Sequence, residues 1–205
     1  PPGGGPADRI NFSVNAHGYL LGKDKAYYDN FFESIKSNGE KYAFDPKQNA
    51  DPEQAYFNGM ALRVMRSLEF VKSLPQWNGK DLIVSGGSQG GLQTVWAAAL
   101  DHDVTEARPS IPWCSDLGGF RQGRLKGWYP EHCKGLDYYD TINHAKRIQC
   151  PVEITRAGLG DYTCPPSGVA ILYNNIKSPK KINWVQGSTH GYTPPTGQRF
   201  TLESK

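Results

Sequence analysis

The stretch LIVSGGSQGGL, residues 82–92, sets a serine and a glutamine between two glycine pairs, directly behind an aliphatic run. Glycine loses more backbone freedom on folding than any other residue. Spending Gly86, Gly87, Gly90 and Gly91 around one hydroxyl therefore implies a backbone that must bend hard. Gly86-Gly87-Ser88-Gln89-Gly90 has the form G-x-S-x-G, with a buried strand expected before it and the Ala-rich helix QGGLQTVWAAALD (89–101) after it. In that context a serine sits at a strand-to-helix apex above the carboxyl end of a parallel sheet, where ligands bind. Side chains at 86 or 90 are expected to collide with such a turn, and the N–H of Gln89, at a helix N-terminus, is placed to stabilise an oxyanion. A loose polar turn is the competing reading, and the flanking strand and helix speak against it.

Outward from this point the apolar pattern alternates between strand and helix. RINFSVNA (9–16) reads as a buried strand ending at His17-Gly18, and KAYYDNFFESIK (25–36) as partly helical within a long loop. DPEQAYFNGMALRVMRSLEFVKSL (51–74) reads as a helix with Asp51 as N-cap, Pro52 in its first turn, and Met60, Val64, Leu68 and Val71 on one face. DLIVSGG, part of ARPSIPWCSD, PVEITRAGL (151–159) and KKINWVQGST (180–189) read as buried strands, the last reaching His190, with a helix at PPSGVAILYNNI. Strands apolar on both faces and alternating with helices predict an α/β domain: a mostly parallel sheet with helices on both faces.

At 205 residues the chain fits one domain, with a linker-like opening, PPGGGPADR, over 1–9. The net charge of +3 is spread along the chain without a basic block, which argues against nucleic-acid binding. No apolar run approaches the ~20 residues of a membrane span. Cys114, Cys133, Cys150 and Cys164 form no C-x-x-C pair, so no metal site is expected. Cys114 and Cys133 could pair in an exported protein, but buried free thiols are the favoured state.

A serine at such an elbow needs a base. In this fold the chain order is serine, acid, histidine, with the acid after a later strand and the histidine after the last. Asp161, in GLGDYTCPP, and His190, in GSTHGY, occupy those places. Asp116 also follows a strand and is the second candidate for the acid. His102, at a helix end, and His132 and His144, in polar segments, read as surface groups, as do Asp137 and Asp140. His17 follows a strand and is expected near the pocket mouth, in a structural or substrate-contacting role. Trp113, Trp128 and Tyr129 either wall the pocket or pack the core.

These residues resemble the acetyl xylan esterase/cephalosporin-C deacetylase family, carbohydrate esterase family seven. The similarity is strongest over 138–190, through the segment D-x-x-C-P-P and the final strand to histidine. SLPQWNGKDLIVSGGSQGG and IPWCSDLGGF extend it over the last three quarters of the chain. The resemblance implies an α/β-hydrolase with Ser88 as nucleophile, Asp161 as acid, His190 as base and Cys164 as a buried structural residue. Two departures stand out: the family usually carries Arg-Gly-Gln after the strand that here ends NAHG, and His-Glu where this chain has His190-Gly191. An α/β-hydrolase also has strands before the segment 9–16, one of which normally leads to the second oxyanion donor. Part of a larger protein is thus expected, with a companion N-terminal segment.

The expected function is a serine carboxylic-ester hydrolase that removes acetyl groups from carbohydrate such as acetylated xylan, needing no cofactor and no metal. The family implies a possible homo-oligomer. A polysaccharide substrate suits a periplasmic or secreted enzyme, although the family also has cytoplasmic members. The rival readings are a peptidase of prolyl-oligopeptidase type and a non-catalytic hydrolase-like binding domain.

Overall fold

The computed structural model describes residues 8–204, and residues 1–7 of the expected linker lie outside the described residues. In chain order the elements are α1 (Lys25–Ser34), α2 (Pro46–Asn49), α3 (Tyr56–Ser73), β1 (Ile83–Gly87), α4 (Gln89–Leu100), β2 (Glu106–Ser110), α5 (Thr141–His144), β3 (Val152–Gly158), α6 (Pro166–Asn175), β4 (Lys180–Val185) and β5 (Arg199–Ser204). One sheet runs in the order β1-β2-β3-β4-β5. Its first four strands are parallel and β5 lies antiparallel on β4. Parallel strands advancing in one direction with right-handed crossovers place α4, α5 and α6 on the same face, and each of these helices packs on the next.

Against both neighbours β3 carries one extra residue. Ala107 pairs with Val152 but Ser110 with Arg156, and Ile154 pairs with Ile182 but Ala157 with Trp184. The insertion lies between Ile154 and Arg156. It explains why Ile154 and Ala157, three apart, are both buried in a strand whose ordinary period is two.

Four sequence expectations need correction. Residues 9–16 form no strand: Ile10, Phe12 and Val14 alternate as a strand would, yet all three are exposed. The segment has no ladder neighbour among the described residues, and Phe12 instead meets Phe70 on α3 with ring centroids 5.4 Å apart. β1 is not fully buried either, because it forms the sheet edge, and Ile83 is 38% exposed. The sheet does not end at β4, since RFTLES adds β5; Phe200 and Leu202 are exposed there, so no buried face marked the strand. Finally, α3 starts at Tyr56 rather than after Asp51. Asp51 holds a preceding turn, accepting from the Glu53 N–H at 2.9 Å.

The interior divides into two clusters. The first is aliphatic and small: Val64 and Leu68 of α3, Val95 and Ala97–Ala99 of α4, Ile154, Ile182 and Leu172 pack against the sheet. The second gathers beyond the carboxyl ends of β1, β2 and β3 and is rich in rings: Phe57, Trp96, Trp113, Tyr129 and Tyr139, with Met60, Leu92, Cys114 and Cys164. Among the described residues no helix is long and apolar enough to cross a membrane.

Candidate active site

Ser88 stands between β1 and α4 at φ 55°, ψ −115°, a left-handed conformation that a side chain rarely adopts. Three backbone bonds hold it there. Its N–H donates to Ser110 O at 2.9 Å, and its carbonyl accepts from Trp113 N at 3.0 Å and Leu92 N at 3.1 Å. The glycines divide differently from the sequence expectation. A Cβ on Gly86 would lie 2.5 Å from the Gly90 carbonyl oxygen, and one on Gly91 would lie 2.8 Å from Ser110 O, so both positions require glycine. At Gly90 the same atom would meet open space, because that residue faces away from the turn.

Asp161 and His190 leave adjacent strands, β3 and β4, on loops sewn together. Gly160 N donates to Ser188 O at 3.0 Å, and at Gly158 a Cβ would lie 2.7 Å from that same carbonyl oxygen. Asp161 is 1% exposed. Its Oδ1 accepts from the N–H groups of Thr163 and Cys164, each at 2.9 Å, while Oδ2 lies 3.1 Å from His190 Nδ1. Arg156, just past the inserted residue of β3, donates to the His190 carbonyl at 3.2 Å and to Thr193 Oγ1 at 2.6 Å. The carboxylate is thus fully occupied and fixes the imidazole with Nδ1 toward it, leaving Nε2 outward.

The Cys164 thiol links this pair to the elbow. It interacts with the Ser88 hydroxyl, and burial pushes its pKa far up, so it is an S–H. Its sulfur, a carboxylate oxygen of Asp161 and a ring nitrogen of His190 all lie within 4.8 Å of one another. By donor type these three could hold a metal ion, although a protonated thiol is a poor ligand.

The other candidates fall elsewhere. Asp116 is buried and gripped by Arg124, with Nε to Oδ2 at 2.5 Å and Nη2 to Oδ1 at 2.9 Å, so it is committed to an ion pair. His102 is exposed. His132 is half-buried, with Nε2 2.7 Å from Asp137 Oδ1. His144 is not a surface group: it is buried, and its Nε2–H donates to Tyr138 O at 2.7 Å. Trp113 is 1% exposed and stacks between Phe57 and Trp128, so it packs the core instead of walling a pocket. Tyr129 is buried as well, whereas Trp128 is exposed and its backbone N–H donates to Thr163 O at 3.0 Å. His17 is half-buried against Tyr42, Tyr56 and Gln89. All four cysteines are free.

Asp140 is a further correction, being 3% exposed rather than on the surface. Its carboxylate accepts from Asp116 N at 2.9 Å, Leu117 N at 2.6 Å and Ile142 N at 3.1 Å. It thereby ties down the loop after β2, in which Ile111, Cys114 and Asp116 all have positive φ. Burial outweighs those bonds and pushes its pKa up to about 6. The signal was present: an aspartate directly before Thr-Ile is a helix-cap pattern, and Asp140 does cap α5.

The chain matches the family described as acetyl xylan esterase (AXE1) over residues 33–131 and 128–202. Acetyl esterase Axe7A of Xylanibacter ruminicola is 36% identical over 141 residues, 64% of this chain and 32% of that protein. An acetyl xylan esterase from Paenibacillus sp. R4 superposes with a TM-score of 0.68 at 27% identity, over 76% of this chain and 54% of that one. Acetyl xylan esterase 1 from Thermoanaerobacterium sp. JW/SL YS485 also gives 0.68 at 27% identity, over 78% of this chain and 56% of that one. This chain therefore spans about a third of the curated relative and just over half of the solved ones. It belongs to the acetyl xylan esterase family, and its sheet is that of an α/β-hydrolase.

Proposed function

We propose that this chain carries the reacting groups of a serine carboxylic-ester hydrolase that removes acetyl groups from carbohydrate, acetylated xylan or its oligosaccharides. The observation that carries this reading is the Nδ1–Oδ2 contact of 3.1 Å between His190 and Asp161, at the same carboxyl edge of the parallel strands as the strained Ser88. Family membership supports the choice of an acetyl ester.

Ser88 Oγ attacks the acetyl carbonyl carbon. His190 takes its proton on Nε2, and Asp161 keeps Nδ1–H in place and stabilises the imidazolium. The Gln89 N–H, in the first turn of α4 and without an intrahelical acceptor, donates to the tetrahedral oxyanion. Collapse breaks the bond to the sugar oxygen, which leaves as the free hydroxyl with a proton from His190, while the acetyl group stays on Ser88. Water, activated by the same imidazole, then releases acetate and restores Ser88. Trp128 offers an exposed ring beside the Asp161 loop on which a sugar can stack.

We further propose that the working hydrolase includes strands that pair with the open edge of β1 and bring the second oxyanion donor. A companion N-terminal segment of the same protein would supply them. Ser88→Ala is expected to abolish acetate release from p-nitrophenyl acetate and acetylated xylo-oligosaccharide with the fold unchanged by circular dichroism. Full activity in that variant would refute the assignment, and preference for proline-containing peptides would favour the peptidase reading.

A further inference from the structure

His17 occupies a position that the esterase mechanism above does not use. Its Nε2 lies 2.9 Å from Gln89 Oε1 and its Nδ1 lies 2.8 Å from the Tyr56 hydroxyl. Tyr56 is the first residue of α3 and Gln89 the first residue of α4. One imidazole therefore ties together the starts of two helices, one of which begins with the proposed oxyanion donor.

The hydrogen-bond directions follow from the partners. An amide oxygen only accepts, so His17 Nε2 carries the hydrogen; the lone pair on Nδ1 then accepts from Tyr56 O–H. Burial pushes the Tyr56 phenol up to about 12, which keeps it a donor. The Gln89 side chain also interacts with the Tyr42 hydroxyl. The imidazole is walled by Tyr19, Phe32 and Tyr42, with centroids 6.2, 6.4 and 4.7 Å away. The charged group facing it is Arg63 of α3, whose guanidinium donates to Ala16 O at 3.2 Å. A second positive charge here would meet Arg63 and the positive ends of two helices. Burial and Arg63 accordingly hold the His17 pKa below its ordinary value, against the opposing pull of Gln89.

We propose that neutral His17 is a positioning residue: bridging Tyr56 and Gln89, it fixes the first turn of α4 so that the Gln89 N–H meets the oxyanion, and its protonation reverses the Tyr56 bond and sets a second positive charge against Arg63, which loosens that turn. The proposal rests on the esterase reading. It differs from a substrate contact because both ring nitrogens are already engaged within the protein. A glutamine at this position can repeat both bonds, donating to Gln89 and accepting from Tyr56, without a proton to gain.

The test compares wild type, His17→Ala, His17→Gln and Ser88→Ala in the intact natural protein, using p-nitrophenyl acetate. His17→Ala is expected to lower kcat ~10-fold or more, a fraction of what a whole oxyanion donor supplies, with KM changed less than ~2-fold. His17→Gln is expected to recover most of the loss. His190 must also be neutral to act as base, so the acid limb of kcat should be steeper than first order in protons where His17 titrates in wild type and plainly first order in His17→Gln. If His17→Ala fails to fold, the acid limb of His17→Gln still decides. Unchanged kcat in His17→Ala, no recovery in His17→Gln, or an unaltered acid limb overturns the proposal while leaving the esterase reading intact. Activity surviving in Ser88→Ala overturns that reading and this proposal with it.

Discussion

The aliphatic cluster against the sheet and the aromatic cluster beyond the strand ends do different work with different residues. In the first, Val95, Ile154, Leu172 and Ile182 meet as side chains of regular elements, with no polar group among them. In the second, rings from α3, α4 and the loop after β2 are pinned by polar contacts: Trp96 Nε1–H donates to Tyr139 O at 3.0 Å and Trp113 Nε1–H to Trp128 O at 2.6 Å. Strained backbone is concentrated in the second, at Ser88 and across Ile111–Asp116. The difference teaches that here the apolar layer supplies stability, while the polar-stitched ring layer holds reacting groups in arrangements a relaxed chain would leave.

That division can be broken most sharply by paired substitutions. Asp161→Asn keeps an acceptor for Thr163 and Cys164 but presents an amide to His190, favouring the wrong tautomer. A loss of kcat of ~10⁴-fold, equivalent to about 5 kcal/mol of barrier, is expected with the melting temperature nearly unchanged. Leu172→Ala should do the reverse, costing about 2–5 kcal/mol in urea unfolding while kcat per folded molecule stays at the wild-type value. If both variants lose stability and activity together, the two layers are one unit.

Next in size is a pH effect at Asp140. Its folded pKa, about 6, lies above the ordinary carboxylate value, so the folded chain holds a proton that the unfolded chain has already released. Stability from this group is therefore greatest below pH ~4 and falls as pH rises to ~6, by about 2–3 kcal/mol. Urea midpoints measured across that window should show this slope in wild type and lack it in Asp140→Asn. Equal slopes in the two proteins would mean that Asp140 does not titrate as placed here. Smallest is the glycine contrast. Gly91→Ala should destabilise by about 1–3 kcal/mol through contact with Ser110 and Pro112. Gly90→Ala should be neutral or stabilising by up to about 1 kcal/mol in thermal melts.

Much of the candidate site was legible because strand ends are legible. Ser88, Asp161 and His190 each follow an apolar run and carry a local motif, so topology alone brought them to one rim of the sheet. What the sequence concealed depends on distant neighbours. Residues 9–16 alternate like a strand, but alternation is silent about whether a partner lies alongside. Asp140 sits among polar residues, and its burial is decided by a loop some two dozen residues earlier in the chain. The partners of His17 lie 39 and 72 residues away, so its position could be guessed but its two bonds could not. Gly90 and Gly91 are chemically identical in the motif; only the path of β2 distinguishes them.

The extra residue in β3 has a consequence of reach. Seven residues there span what β4 crosses in six, so beyond the insertion the up-and-down alternation of side chains is inverted relative to the start of the strand. Arg156 consequently projects toward the turn holding the imidazole, where an uninterrupted strand would have turned it to the opposite side. A chain trimmed by that single residue would keep its sheet and lose the brace behind its histidine.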